Sequence, residues 1–172
     1  EQRRRGIKNA SALLSSWKAM PAGRLAGRFD AALASMTMAI KDRADIVKME
    51  KTAGLCVYIG WAGVRRNALL EKVYAKHGVK YQAPEGAGVV LKVLEKLGRE
   101  PRVKYITDSW TKNATLADTL RDLEVGLKVN GARMDRDWTE ALLKRLARNG
   151  KVRQATSVRK ALIVWAPPAA AR

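Results

Sequence analysis

The stretch LLKRLARNGKVRQATSVRKALIVW, Leu142 to Trp165, decides the fold, because the reading turns on what the chain does at Asn149 and Gly150. With a helical period, Leu142, Leu143 and Leu146 form the apolar side of a helix over 137–148, and Gly150 follows it. Val152, Ala155, Val158, Leu162 and Trp165 then fall at three- and four-residue intervals, which predicts a second helix over 152–165, stopped by Pro167 and Pro168. Glycine closes helices in the left-handed conformation, so the whole stretch reads as a helical hairpin.

The turn phrase recurs upstream. GRFDAA from Gly27, GVRRNA from Gly63 and GREPRV from Gly98 match GKVRQA from Gly150, and the four glycines are separated by 36, 35 and 52 residues. Two steps near 35 mark a helical-hairpin repeat, in which neither helix buries its apolar side without the next pair. The rest of the chain is predicted helical too. One segment covers 10–20 and ends at Pro21; a long one covers 28–51, with Phe29, Ala32, Leu33, Met36, Ile40 and Val47 near helical spacing. Residues 54–62 contain Val57, Tyr58 and Ile59, which favour sheet, but helical neighbours argue for helix. Segments 65–76 and 84–97 end at Gly78 and Gly98, Pro101 opens 101–112, and 114–129 aligns Leu116, Leu120, Leu123 and Leu127. The expectation is an all-α protein of about nine helices. Its parts are a basic arm with a short helix (1–23), a repeat domain (24–165) and a tail (166–172).

DRDWTEALLKRLARNGKVRQA, Asp135 to Ala155, resembles a pentatricopeptide motif, and AGVRRNALLEKVYAKHG and AGRFDAAL resemble the second helix of that motif. The resemblance implies a right-handed α-solenoid-like stack of hairpins that binds RNA; tetratricopeptide repeats share the same small-residue logic. In the pentatricopeptide family a small polar residue early in each first helix reads a base. Ten residues before each turn glycine stand Trp17, Ala53, Gly88 and Glu140, none of them asparagine, serine or threonine. The resemblance therefore implies a scaffold without sequence-specific reading.

Charge points the same way. The 172 residues carry 34 lysines and arginines against 16 acids, a formal net charge of +18, which repels itself and calls for a polyanion. Basic residues run from Arg3 to Arg172, and no apolar run approaches the roughly 20 residues a bilayer requires, so a nucleic acid is favoured over a membrane. The single cysteine, Cys56, gives no internal disulfide framework. The start, arginine-rich and acid-poor, reads as the remnant of an organellar targeting region or as a nucleic-acid arm.

The candidate RNA-binding residues are Arg3, Arg4 and Arg5 in the arm, Arg65 and Arg66 in the second turn, Tyr81 as a loop aromatic for stacking, and two basic groups. The first group is Lys144, Arg145 and Arg148; the second is Lys151, Arg153, Arg159 and Lys160, each set opposite the leucines of its helix. Trp61, Trp110, Trp138 and Trp165 lie in apolar stripes and read as core. His77, the only histidine, sits at a helix end and reads as a cap; Glu85-Gly-Ala-Gly lacks the strand and third glycine of a dinucleotide fingerprint. The acids at Asp118, Asp122 and Glu124 read as a solvated helix face, and Asp135 and Asp137 as helix-start residues. These readings predict no catalytic, metal or cofactor site. They predict a non-catalytic structural subunit of a ribonucleoprotein, foremost an organellar, mitochondrial ribosome, contacting rRNA and neighbouring proteins away from membranes. The alternatives are a single-stranded RNA processing factor of the pentatricopeptide type, a helical DNA-binding or protein-interaction module, and a cytoplasmic location.

Overall fold

A computed structural model describes residues 9–168. The elements run α1 (Ala22–Leu25), β1 (Phe29–Ser35), α2 (Arg43–Thr52), β2 (Ala53–Arg66), α3 (Ala68–Lys76), α4 (Ala87–Lys96), β3 (Arg102–Thr115), α5 (Leu116–Val129), α6 (Arg136–Leu146) and β4 (Lys151–Trp165). The strands form one mixed sheet in the order β1-β2-β4-β3, with β1 parallel to β2 and β4 antiparallel to both of its neighbours. The protein is α/β, and the expected all-α stack of about nine helices, with its pentatricopeptide resemblance, is corrected.

The physical reason lies in the opening stretch. Asn149 and Gly150 both have positive φ, 49° and 71°, and Arg148 and Lys151 exchange two backbone hydrogen bonds of 2.9 and 3.0 Å across them. Two left-handed residues in succession make the two-residue turn whose twist suits antiparallel chain, so the segment enters a strand. Gly27, Gly63, Gly98 and Gly150 are all left-handed, but in four settings. They are the lead-in to β1, an irregularity in β2, the end of α4 and the turn before β4. The spacing near 35 thus records a shared backbone need and no shared hairpin.

Four helices, α3 to α6, lie where the apolar spacing placed them, and three of them are capped by a side chain at the start. Asn67 accepts from the Leu70 N–H at the start of α3, Thr115 from Asp118 before α5, and Asp135 from Trp138 before α6. The predicted helix over 28–51 divides instead into β1 and α2, where Asp42 and Asp45 form a reciprocal capping box.

β4 carries the architecture. It pairs with β3 over fourteen consecutive positions, so its side chains alternate faces without interruption. Yet Val152, Thr156 and Val158 are buried at its start, and Ala161, Ile163 and Trp165 at its end: even positions first, odd positions later. The helices therefore cover opposite faces at the two ends. At the inner end, Ile46 and Met49 of α2 and Val90 and Leu94 of α4 pack on Cys56, Tyr58, Ala161, Ile163 and Trp165. At the outer end, Leu69 and Val73 of α3, Leu123 and Leu127 of α5 and Leu142 and Leu143 of α6 pack on Val152. The changeover coincides with β2, where residues 62–64 stand against one residue of β4.

Among the described residues no helix is long and apolar enough to cross a membrane.

Candidate nucleic-acid interface

The odd face of the β3–β4 ribbon is left open where the outer helices occupy the even one. Lys151, Arg153, Ala155 and Arg159 are exposed there. Directly opposite residues of an antiparallel pair share a face. Thr115, Asn113, Thr111, Ser109 and Thr107 of β3 therefore stand beside Lys151, Arg153, Ala155, Ser157 and Arg159. On the other flank Arg66 of β2 pairs with Ser157. The face is thus a run of cations separated by hydroxyl and amide side chains, each a hydrogen-bond donor. Successive basic positions two apart on a strand sit roughly 6.7 Å from each other. Two acids meet this set: Glu71 at 2.9 Å from the exposed Arg66 side chain, and Asp118, which accepts the Thr115 hydroxyl at 2.7 Å.

Two depressions mark the surface. One, of about 260 Å³, is lined by Arg66, Asn67, Glu71, Ser109, Ala155 and Ser157. The other, of about 290 Å³, lies further along between Trp61, Gly86, Gly88, Lys92, Tyr105 and Arg159. The Arg159 guanidinium lies 3.9 Å over the Tyr105 ring, which is half exposed on the same face. A cation stacked on an aromatic is the pairing that takes a phosphate and a base side by side.

The structure separates the candidates that the sequence grouped. Lys151, Arg153, Arg159 and Arg66 share one open face, with Arg148 at the turn that leads into it. Lys160 faces the other way and is paired with Asp108, whose carboxyl it holds below the usual range. Lys144 and Arg145 are exposed on α6, the helix packed on the even side. Arg65 lies 5.4 Å over the Tyr81 ring and 6.0 Å from Trp61, and its buried Nε has no hydrogen-bond partner among the described residues. Tyr81 meets Tyr74 edge to face at 5.5 Å, its hydroxyl is buried, and burial raises its pKa. Arg3, Arg4 and Arg5 lie outside the described residues. Tyr105 and the threonines of β3 were not singled out by the sequence because that segment read as a helix. Its Val-Lys-Tyr-Ile-Thr run is the signal that would have marked a strand.

The tryptophans divide as well. Trp165 is buried, Trp61 and Trp138 are half-buried, and Trp110 is exposed on β3. His77 is fixed between two helices, its Nδ1 donating to the Val73 carbonyl at 2.7 Å while Nε2 accepts from the Asp135 N–H at 2.8 Å. Burial pushes the Cys56 thiol up to about 12, which leaves it un-ionised and unreactive. Among the described residues no three histidine, cysteine or acidic side chains are placed to hold a metal ion.

No family model and no curated protein matches the chain. A solved structure from Bacillus halodurans C-125, described as a "putative methyltransferase", is similar at 12% identity and a TM-score of 0.44, covering 90% of this chain and 76% of that one. A likeness of that size assigns neither a fold family nor an activity. The expected non-catalytic ribosomal subunit is nonetheless corrected, along with the pentatricopeptide processing factor and the helical module. All three stood on stacked hairpins, which the mixed sheet replaces. The statement that the chain is no enzyme falls with the scaffold that supported it.

Proposed function

We propose that the chain binds single-stranded nucleic acid, with RNA as the first candidate, along the open odd face of the β3–β4 ribbon. The observation that carries this reading is the placement of Arg66, Lys151, Arg153 and Arg159 on one uncovered face, interleaved with hydroxyl and amide side chains. Cations at strand spacing contact successive phosphates, and the Arg159 guanidinium, held over the Tyr105 ring, offers a plane on which one base stacks. A net charge of +18 supplies the long-range attraction. Contacts of this kind favour strands without reading their sequence.

The test is titration of a labelled single-stranded RNA oligonucleotide over a range of salt. Replacing Lys151 and Arg153 together by alanine is expected to lower affinity about tenfold near 0.1 M salt and to flatten the log–log salt slope by about 1.4, two contacts at ~0.7 each. Replacing Lys144 and Arg145 on α6 leaves both quantities unchanged. An equal loss in both variants reduces the interface to diffuse charge and overturns the reading, as does the absence of binding in the parent chain.

A further inference from the structure

We infer that the even face of the sheet at its inner end is the seat of an amphipathic helix from an acidic partner protein. Phe29 and Leu33 of β1, Leu55, Val57 and Ile59 of β2 and Leu162 of β4 fall on this one face by register. Phe29, Leu33 and Leu55 are 52%, 65% and 41% exposed, and the other three are half-buried. Parallel strands are ordinarily covered on both faces, and a contiguous apolar surface of this kind marks an interaction site. Across the same strands, α2 and α4 provide that cover on the odd side with ten residues each.

Three observations choose the occupant. The first is charge. The apolar strip is bordered on the β3 side by Arg102 and Lys104, both exposed and without an acidic partner among the described residues. A helix whose apolar stripe is flanked by Glu or Asp meets this border favourably. The second is the net charge of +18, which sets two copies of the chain against each other before their sheets could meet. The third is shape. The outer half of the even face carries α3, α5 and α6, so the inner half is a recess beside a wall of helices. A helix of about 10 Å diameter fits that step, whereas a flat bilayer is held off by the wall. The inference is independent of the nucleic-acid reading, since the two surfaces lie on opposite faces.

The probe is a synthetic amphipathic peptide with a leucine stripe flanked by glutamates, labelled for fluorescence anisotropy, beside a copy with lysine in place of every glutamate. The acidic peptide is expected to bind the parent chain and the Lys151→Ala, Arg153→Ala variant equally within about threefold. Binding falls at least about tenfold for Leu33→Glu, for Leu55→Glu and for the lysine peptide. Both glutamate variants replace exposed side chains, and circular dichroism confirms that each is folded. Equal binding to the parent and the two glutamate variants overturns the inference, as does loss of binding in the alanine variant, which moves the peptide to the basic face. It is equally overturned by no binding at all. Sedimentation then identifies a dimer split by Leu33→Glu, and flotation with phosphatidylserine vesicles identifies a membrane, as the true occupant.

Discussion

At the inner end of β4 the chain turns Ala161, Ile163 and Trp165 toward two helices; at the outer end it turns Val152, Thr156 and Val158 toward three helices on the other side. One strand thus serves two cores in opposite senses. The faces left over are opposite in chemistry as well. Outer positions facing away from helices are Lys151, Arg153 and Ala155, whereas the inner ones are Leu162 and Val164. A single sheet in this way presents a wet, basic surface and an apolar one without either touching the other. The two cores are then held in register by β4, together with the β3 pairing over fourteen of its fifteen residues and the β2 pairing on both sides of its irregularity.

The largest effects test whether the two ends are one folding unit. Leu94 and Leu143 are both fully buried, one in each core. Replacing either by alanine is expected to cost about 2–5 kcal/mol, through lost burial and the cavity left behind. If β4 couples the ends, each variant shifts a single urea transition, seen at the same midpoint by tryptophan fluorescence and by far-ultraviolet dichroism. Two transitions, each moved by only one substitution, would make the ends separate units and break the comparison.

A smaller effect belongs to the outer end alone. Asn67 caps α3 through the Leu70 N–H at 3.0 Å and donates from Nδ2 to the buried Thr156 hydroxyl at 2.7 Å. Asn67→Ala removes the cap and leaves Thr156 short of a partner, for an expected loss of about 2 kcal/mol by chemical denaturation. A change below about 0.5 kcal/mol would mean that α3 is held by its leucines only.

The helices were legible and the strands were not, for reasons visible at particular residues. Leu116, Leu120, Leu123 and Leu127 all pack on one side of α5, with Gly131 just beyond, and no strand period fits them. In β4 the buried set switches parity, so Val158 and Ala161 fall three apart and imitate a helical interval. β3 gives no alternation at all, being an edge strand with nearly every residue exposed, and only its β-branched and aromatic content marked it. The site shared this fate. Lys151, Arg153 and Arg159 were found by charge, but their common face follows from the period of two, and Tyr105 became visible only with the strand. Asn149-Gly150 reads as a turn in the sequence, and its left-handed pair is the one local feature that separates a strand entry from a helix end.

The smallest effect belongs to the inner end and depends on pH. Asp42 stands at the start of α2, where the Lys18 ammonium at 2.8 Å and the Asp45 N–H at 2.9 Å hold its carboxyl down to about 2. A carboxylate whose folded value lies below its unfolded value stabilises the fold above the unfolded value, near 3.8. That stability is lost as pH falls from there toward 2, so the window is about 4 to 2. Asp42→Asn keeps a capping oxygen but carries no charge to titrate. Its thermal midpoint should therefore fall less steeply than the parent's between pH 4 and 2, with the two curves parallel above pH 5. Because the carboxylate is exposed, salt should shrink the difference as well. The outer end, whose Asp118 is held below its usual value mainly by the Thr115 hydroxyl, should keep its pH response in the Asp42→Asn variant. Parallel curves throughout the acid range would show that the Lys18–Asp42 contact is absent in solution, and the segment before α1 would then be tied to the inner end by Trp17 and Lys48 and by the Lys18–Asp45 pair.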